Sequence, residues 1–189
     1  KVDTGGEDLY ITRLDNQIAD PATTFGKEAG GGYWTSVTSN AQWLMGQLSV
    51  NDTDDANSTV DMWVNVSATH YSGSSFLFRS GESFDDTAAL GALALTDSSG
   101  GFIINASGGG TRYVNGLPYV AGTVLSIGSW YKITVVRPLV SSWMAYGANS
   151  NGNQGFTGKI GRIKILKGMG LSEQEIQDSF NQEKSLYGL

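Results

Sequence analysis

Carboxylates gather in three places in this chain: "NDTDD" at 51–55, "FDD" at 84–86 and "SEQEIQD" at 172–178. Cleaving a glycosidic bond takes two carboxyl groups aimed at one sugar, one as nucleophile and one as acid. A strand built for that would carry an E-x-D-x-E run, and the chain has none. The third cluster is used up by the start of a helix. His70 is the sole histidine, which excludes a histidine-rich metal centre and leaves any serine nucleophile with a single general base to draw on. Placed between Thr69 and Tyr71 at a strand end, His70 reads as an ordinary turn residue. The expectation is a protein that is not an enzyme. Calcium is the one cation the loops could hold: Asp52, Asp54 and Asp55 lie in one, Asp85 and Asp86 in another. Calcium asks for six or more oxygens, and "DTDDAN" lacks the glycine of an EF-hand bend, so the plainer reading is a solvated acidic turn and no cofactor. The "GGG" triplets at Gly30 and Gly108 have no lysine and helix behind them and read as turns. Four N-x-S/T sequons begin at Asn51, Asn57, Asn65 and Asn105, in a chain so rich in Asn, Ser and Thr that they carry little weight.

Sugar recognition needs other residues. Aromatic faces sit under C–H groups while Asn, Asp and backbone amides take the hydroxyls. "GGGYW" at 30–34 and "WMAYGANSNGNQGF" at 143–156 supply such groups. The carbohydrate candidates are Trp34, Trp143, Tyr146, Asn149, Asn151 and Asn153, with Gln154 beside them. The competing reading is that Trp63, Trp130 and Trp143 pack a core or rim, as large aromatics of sandwiches do.

The elements that must position these residues follow from pattern. In 189 residues there are 26 Gly, 3 Pro and no Cys, and 16% of residues are charged, against roughly 25% in ordinary domains. That length supports one domain with a core large enough to need neither disulfide nor metal. A net charge of −6 repels polyphosphate, so nucleic acid is not expected as a partner. No apolar run reaches the roughly 20 residues that span a bilayer, so membrane insertion is not expected either. "KVDTGGED" reads as neither a signal peptide nor a native start, which suggests a processed form or a piece of a longer chain.

Val60, Met62, Val64 and Val66 alternate with Asp61, Trp63 and Asn65, and Tyr131, Ile133 and Val135 with Trp130, Lys132 and Thr134. Both are expected to be half-buried strands. Shorter candidates begin at Ser75, Leu90, Gly101 and Leu125, and Asn115-Gly116 marks a hairpin. Ile163 and Ile165 alternate with Arg162 and Lys164, while Ile160 is out of phase, which places a bulge at Gly161. A helix over 172–187 starts with Ser172 as cap, Glu175 closing the capping box and Leu171 stapled on Ile176; Ile176, Phe180 and Tyr187 form its apolar stripe. Short strands with turns every 8 to 12 residues indicate an all-β sandwich or barrel. Residues 1–32, polar and glycine-rich over much of their length, read as an irregular N-terminal arm or loop, and 33–189 as the folded domain.

"STVDMWVNV", "RYVNGLPYV", "GSWYKITVV" and "GFTGKIGRIKILKGMGLSEQEI" occur in the order found in concanavalin A-like (laminin G-like) domains, and 58–189 resembles that family. The resemblance implies an all-β, two-sheet antiparallel jelly-roll sandwich with a short C-terminal capping helix, a lid on the fold rather than a site. The fold hosts lectins, glucanases, adhesion modules and phage surface proteins, so it does not fix function. The ending and the Ser/Thr/Asn/Gly content are similar to phage virion-surface versions. They imply a non-enzymatic module at a virion surface or in an extracellular setting, structural or decorative. Its partners would be other virion or surface proteins, itself, or a cell-surface glycan. The alternative implied is a lectin or adhesin domain of a secreted bacterial protein, with a glycoside hydrolase a distant third.

Overall fold

The computed structural model describes residues 2–4, 7–13, 25–28, 31–36, 44–47, 58–68, 74–81, 91–107, 110–136, 143–146, 157–166 and 169–189. Its strands are β1 (Val2–Thr4), β2 (Glu7–Arg13), β3 (Phe25–Glu28), β4 (Gly31–Ser36), β5 (Leu44–Gln47), β6 (Thr59–Ala68), β7 (Ser74–Gly81) and β8 (Gly91–Ser98), followed by β9 (Gly101–Ser107), β10 (Thr111–Val114), β11 (Leu117–Pro118), β12 (Leu125–Ser126), β13 (Trp130–Val136), β14 (Trp143–Tyr146) and β15 (Thr157–Leu166). Helix α1 (Glu173–Glu183) runs on into a 3₁₀ turn, Lys184–Tyr187.

The strands form two antiparallel sheets. The front sheet runs β11-β10-β13-β6-β15, and beyond β15 it continues as β4 alongside one part of that strand and β1 alongside another. The back sheet runs β5-β14-β7-β8-β9-β12. Strand β2 joins the two, pairing with β1 on one side and β5 on the other. Among the described pairs, β1 with β15 is the parallel one.

Period-two alternation explains the core. Val60, Met62, Val64 and Val66 of β6 are at most 1% exposed and meet Ile133 and Val135 of β13 and Ile160, Ile163 and Ile165 of β15. Leu95, Phe102, Ile104 and Leu125 close the same cluster from the back sheet. The β6–β15 ladder slips between Ile160 and Ile163, the bulge that the out-of-phase isoleucine predicts. Glycine is required there for a second reason: a Cβ on Gly161 would lie 2.6 Å from the Tyr187 hydroxyl and 2.7 Å from a ring carbon.

Two expectations need correction. The second faces of β6 and β13 are not solvated: Asp61, Trp63, Asn65, Lys132 and Thr134 are all buried, and the C-terminal helix lies over Trp63 and Lys132. Within 1–32, the parts the structure describes are strands β1, β2, β3 and the start of β4 rather than irregular chain. These strands are short and set in polar sequence, so pairing with β15 and β5 specifies them more than their own alternation does.

The helix begins as its residues dictate. The Ser172 hydroxyl accepts from the Glu175 amide at 3.4 Å, and the Ser172 amide donates to the Glu175 carboxylate at 2.8 Å. The Ser172 hydroxyl also donates to Glu175 Oε2 at 2.7 Å, and that bond, with the one from the Ser172 amide, holds the Glu175 carboxyl below its ordinary range. Leu171 packs on the cluster of Ile176, Tyr113 and Val136. The 3₁₀ turn is capped by Gly188 in a left-handed conformation, φ 75°. At the hairpin, Asn115 (φ 52°) and Gly116 (φ 80°) make the turn, and a Cβ on Gly116 would come within 3.2 Å of the Gln177 Cα and the Phe180 Cβ. The hairpin therefore abuts the helix at a distance that suits glycine. Ile176→Ala is expected to lower stability by about 3 kcal/mol, and Phe180→Ala, less buried, by about 2 kcal/mol. Thermal melts check both; unchanged curves would mean an undocked helix.

Candidate functional site

The densest group of ionisable side chains among the described residues lies between the front sheet and α1. Asp61 of β6 and Lys132 of β13 project from the outer face of the sheet, and Glu183 descends from the helix. Lys132 is 1% exposed, and its ammonium contacts Asp61 Oδ2 at 3.0 Å, Glu183 Oε2 at 2.8 Å and Ser179 Oγ at 2.6 Å. An ammonium has three protons to donate, and here all three find acceptors. Thr134 Oγ1 donates to Asp61 Oδ1 at 2.7 Å, Trp63 Nε1 donates to Glu183 Oε2 at 2.8 Å, and the Arg162 guanidinium meets Glu183 Oε1 at 3.0 Å.

The two carboxylates are displaced in opposite directions. Burial pushes the Asp61 carboxyl above its ordinary range, against the opposing pull of Lys132 and Thr134. Burial acts on Glu183 too, but the hydrogen bonds from Lys132 and Trp63 and the charges of Lys132 and Arg162 outweigh it and hold Glu183 low. A pair of carboxyls pushed apart in this way is what an acid–base site would show. Here one lies beneath the helix and the other descends from it, both with their oxygens engaged by protein donors, so the arrangement is a clasp. Trp63 stacks on Tyr187 with centroids 4.2 Å apart and on Phe180 at 5.9 Å, while Trp130 lies 4.8 Å from Tyr187. The Tyr187 hydroxyl accepts from the Arg162 amide at 2.9 Å, at the bulge.

The strand residues of the clasp, Asp61, Trp63, Lys132, Thr134 and Arg162, are on faces that pattern reading left to solvent, and Glu183 was not singled out. Two signals pointed to them. Trp63 and Trp130 share the supposedly wet face of neighbouring strands, which is too much apolar surface to leave in water. Glu183 falls seven residues after Ile176, within the helix stripe.

Among the carbohydrate candidates, Trp34 lies on β4 in the front sheet, opposite Ile160, whereas Trp143 and Tyr146 lie on β14 in the back sheet, opposite Gln47 and Leu44. Positions 143 and 146, three apart on one strand, belong to opposite faces of a period-two element. Asn149, Asn151 and Asn153, the calcium candidates Asp52, Asp54, Asp55, Asp85 and Asp86, and His70 lie outside the described residues. Among the described residues no group of three or more His, Cys, Asp or Glu could hold a metal ion, and no helix is long and apolar enough to cross a membrane. The Asn65 sequon is built into the fold: its amide donates to the Gly128 carbonyl at 2.8 Å.

No protein-family model matches the sequence, and no curated protein sequence matches it. Solved structures do. A Trypanosoma rangeli sialidase mutant displaying trans-sialidase activity aligns with 87% of this chain at 13% identity and a TM-score of 0.54. The two share a β fold. The chain spans 29% of that sialidase, so the likeness extends to a part of it. The unmodified T. rangeli sialidase aligns over 88% of this chain and 29% of its own, at 14% identity and a TM-score of 0.48. A heptameric SAP-like pentraxin from Limulus polyphemus aligns over 65% of this chain and 68% of its own, at 9% identity and a TM-score of 0.43.

Proposed function

We propose that this chain is a non-enzymatic, surface-exposed binding module of the concanavalin A-like type. It is displayed at a phage-type virion surface as a structural or decoration component, and it holds carbohydrate at its rim. One observation carries the non-enzymatic part of this reading. The concentrated acid–base set of the described fold, Asp61, Lys132 and Glu183, is taken up in fastening the helix, with every lysine donor matched to a protein acceptor. The front sheet is covered on its outer face by that helix. What supports the carbohydrate part is residue type: Trp143 on a back-sheet strand, with the asparagine-rich run 149–153 following in sequence.

A glycan array probed with the purified chain tests this. Retention on a subset of glycans is expected, weakened roughly tenfold, about 1.4 kcal/mol, by Trp143→Ala or by joint replacement of Asn149, Asn151 and Asn153 with Ala. The sandwich should melt as before in the asparagine variant. An array with no retained glycan, or binding indifferent to all four changes, would remove the carbohydrate part of the reading.

A further inference from the structure

Three strands aim donors at one carboxylate. Lys132 Nζ of β13 and Trp63 Nε1 of β6 each reach Glu183 Oε2 at 2.8 Å, and the Arg162 guanidinium of β15 reaches Oε1 at 3.0 Å. These donors all stand on the front sheet and only the acceptor is on the helix, so the receptor belongs to the sheet. The sheet brings two cations to this spot, Lys132 and Arg162, and one carboxylate, Asp61, and Glu183 balances the surplus positive charge. Beside that carboxylate, Trp63 and Trp130 wall in the Tyr187 ring, with centroids 4.2 and 4.8 Å away and planes inclined by 15° and 55°. Holding a helix does not call for such a face. Packed hydrocarbon of the same volume docks a helix as well or better, since the desolvation of buried charges offsets their attraction. The helix is also separate from the core it covers. Among the described residues, the cluster between the two sheets contains no helix side chain, and the helix docks through two other clusters, around Trp63 and around Tyr113.

We infer that this face is a binding site for a carboxylate-bearing sugar, and that α1 with its 3₁₀ turn is an autoinhibitory strap whose Glu183 fills the site in the resting chain. The ligand class follows from what the strap places there: a carboxylate for Lys132, Trp63 and Arg162, and next to it a flat face for the two indoles. A uronate sugar carries both, an ionised carboxylate for charge-assisted hydrogen bonds and a C–H face that stacks on indole. The site is on the front sheet, whereas Trp143 is on the back sheet, so it stands or falls apart from the rim reading. Ligand and strap compete. The apparent affinity is the intrinsic one reduced by the fraction of chains whose helix is lifted, and weakening the strap's own carboxylate raises that fraction.

D-glucuronate is the probe, with D-glucose at equal concentration and sodium chloride at equal ionic strength as controls. In the starting chain, glucuronate should speed amide hydrogen exchange over 176–187 by roughly tenfold or more, leave exchange in β8 and β9 as it was, and shift the Trp63 indole N–H resonance. Glu183→Gln keeps the side chain's size and removes its charge, and should bind glucuronate roughly tenfold more tightly than the starting chain. Adding Arg162→Gln, at a side chain 42% exposed, should weaken that binding again, by roughly tenfold. Far-UV melts verify that the variants are folded, and the exchange measurement on the starting chain decides the matter without them. Helix exchange in the starting chain that ignores glucuronate, an equal response to glucose or chloride, binding that leaves the Trp63 resonance unmoved, or a folded Glu183→Gln chain that binds no more tightly than the starting chain would each overturn the inference.

Discussion

Glu183→Ala is expected to lower stability by about 3–5 kcal/mol at neutral pH, because it strands the buried Lys132 and the Trp63 N–H without their shared acceptor. At roughly 2–4 °C per kcal/mol for a chain of this size, the melting temperature should fall by about 10 °C. The residue is on a C-terminal helix whose sequence looks like an ordinary amphipathic cap, so a loss this large would show that the helix is locked ionically as well as by apolar docking. Acid should reproduce part of the effect. Glu183 titrates below its ordinary value of 4.5 in the fold, so the stability it contributes is complete above about pH 4.5 and is lost as the pH falls through the folded-state value. Asp61 acts in the opposite sense. Its folded-state value lies above 3.8, so it favours folding most below that pH and loses this contribution as the pH rises through the folded value. Glu183→Gln should therefore be less stable at pH 7 and lose the steep decline below about pH 4.5. Melting curves taken from pH 3 to pH 7 check this; parallel profiles for the two proteins would contradict it.

Trp63→Ala is expected to cost about 3–5 kcal/mol. Trp63 is 1% exposed, fills the space between sheet and helix, and stacks on two helix-borne rings. Its removal leaves a cavity and one fewer donor on Glu183. The two losses should not add. Trp63 and Glu183 share a 2.8 Å hydrogen bond, so the double variant should fall short of the sum of the singles by more than the few tenths of a kcal/mol seen between independent sites. Strict additivity in a double-mutant cycle would place Trp63 outside the clasp.

The core face of β6 was legible because four apolar residues repeat at period two, and the helix start because Ser172, Glu175 and Leu171 stand at fixed offsets from Ile176. The bulge at Gly161 could be read from one isoleucine out of phase. What pattern could not supply was partnership across the chain. Whether Asp61 and Lys132 face water or a helix depends on Glu183, 122 and 51 positions further on, and a strand's alternation looks the same in either case. Gly161 was readable as a bulge but not as the place where the Tyr187 ring passes, since that contact joins elements far apart in sequence. The early strands β1 to β4 escaped for a related reason: they are four- to seven-residue pieces or shorter, ordered by the neighbours they pair with. For the sugar candidates, residue type was legible and arrangement was not. Trp34 and Trp143 were grouped by chemistry, whereas the structure assigns them to different sheets.

The proposed surface module binds polysaccharide without cleaving it. Incubating the purified chain with immobilised polysaccharides, and measuring both retained protein and released reducing ends, tests it in one measurement. Retained protein with reducing ends no higher than in a protein-free control is the predicted result. Reducing ends that accumulate in proportion to protein, and fall to background when Asp85 or Asp86 is replaced by Asn, would contradict it.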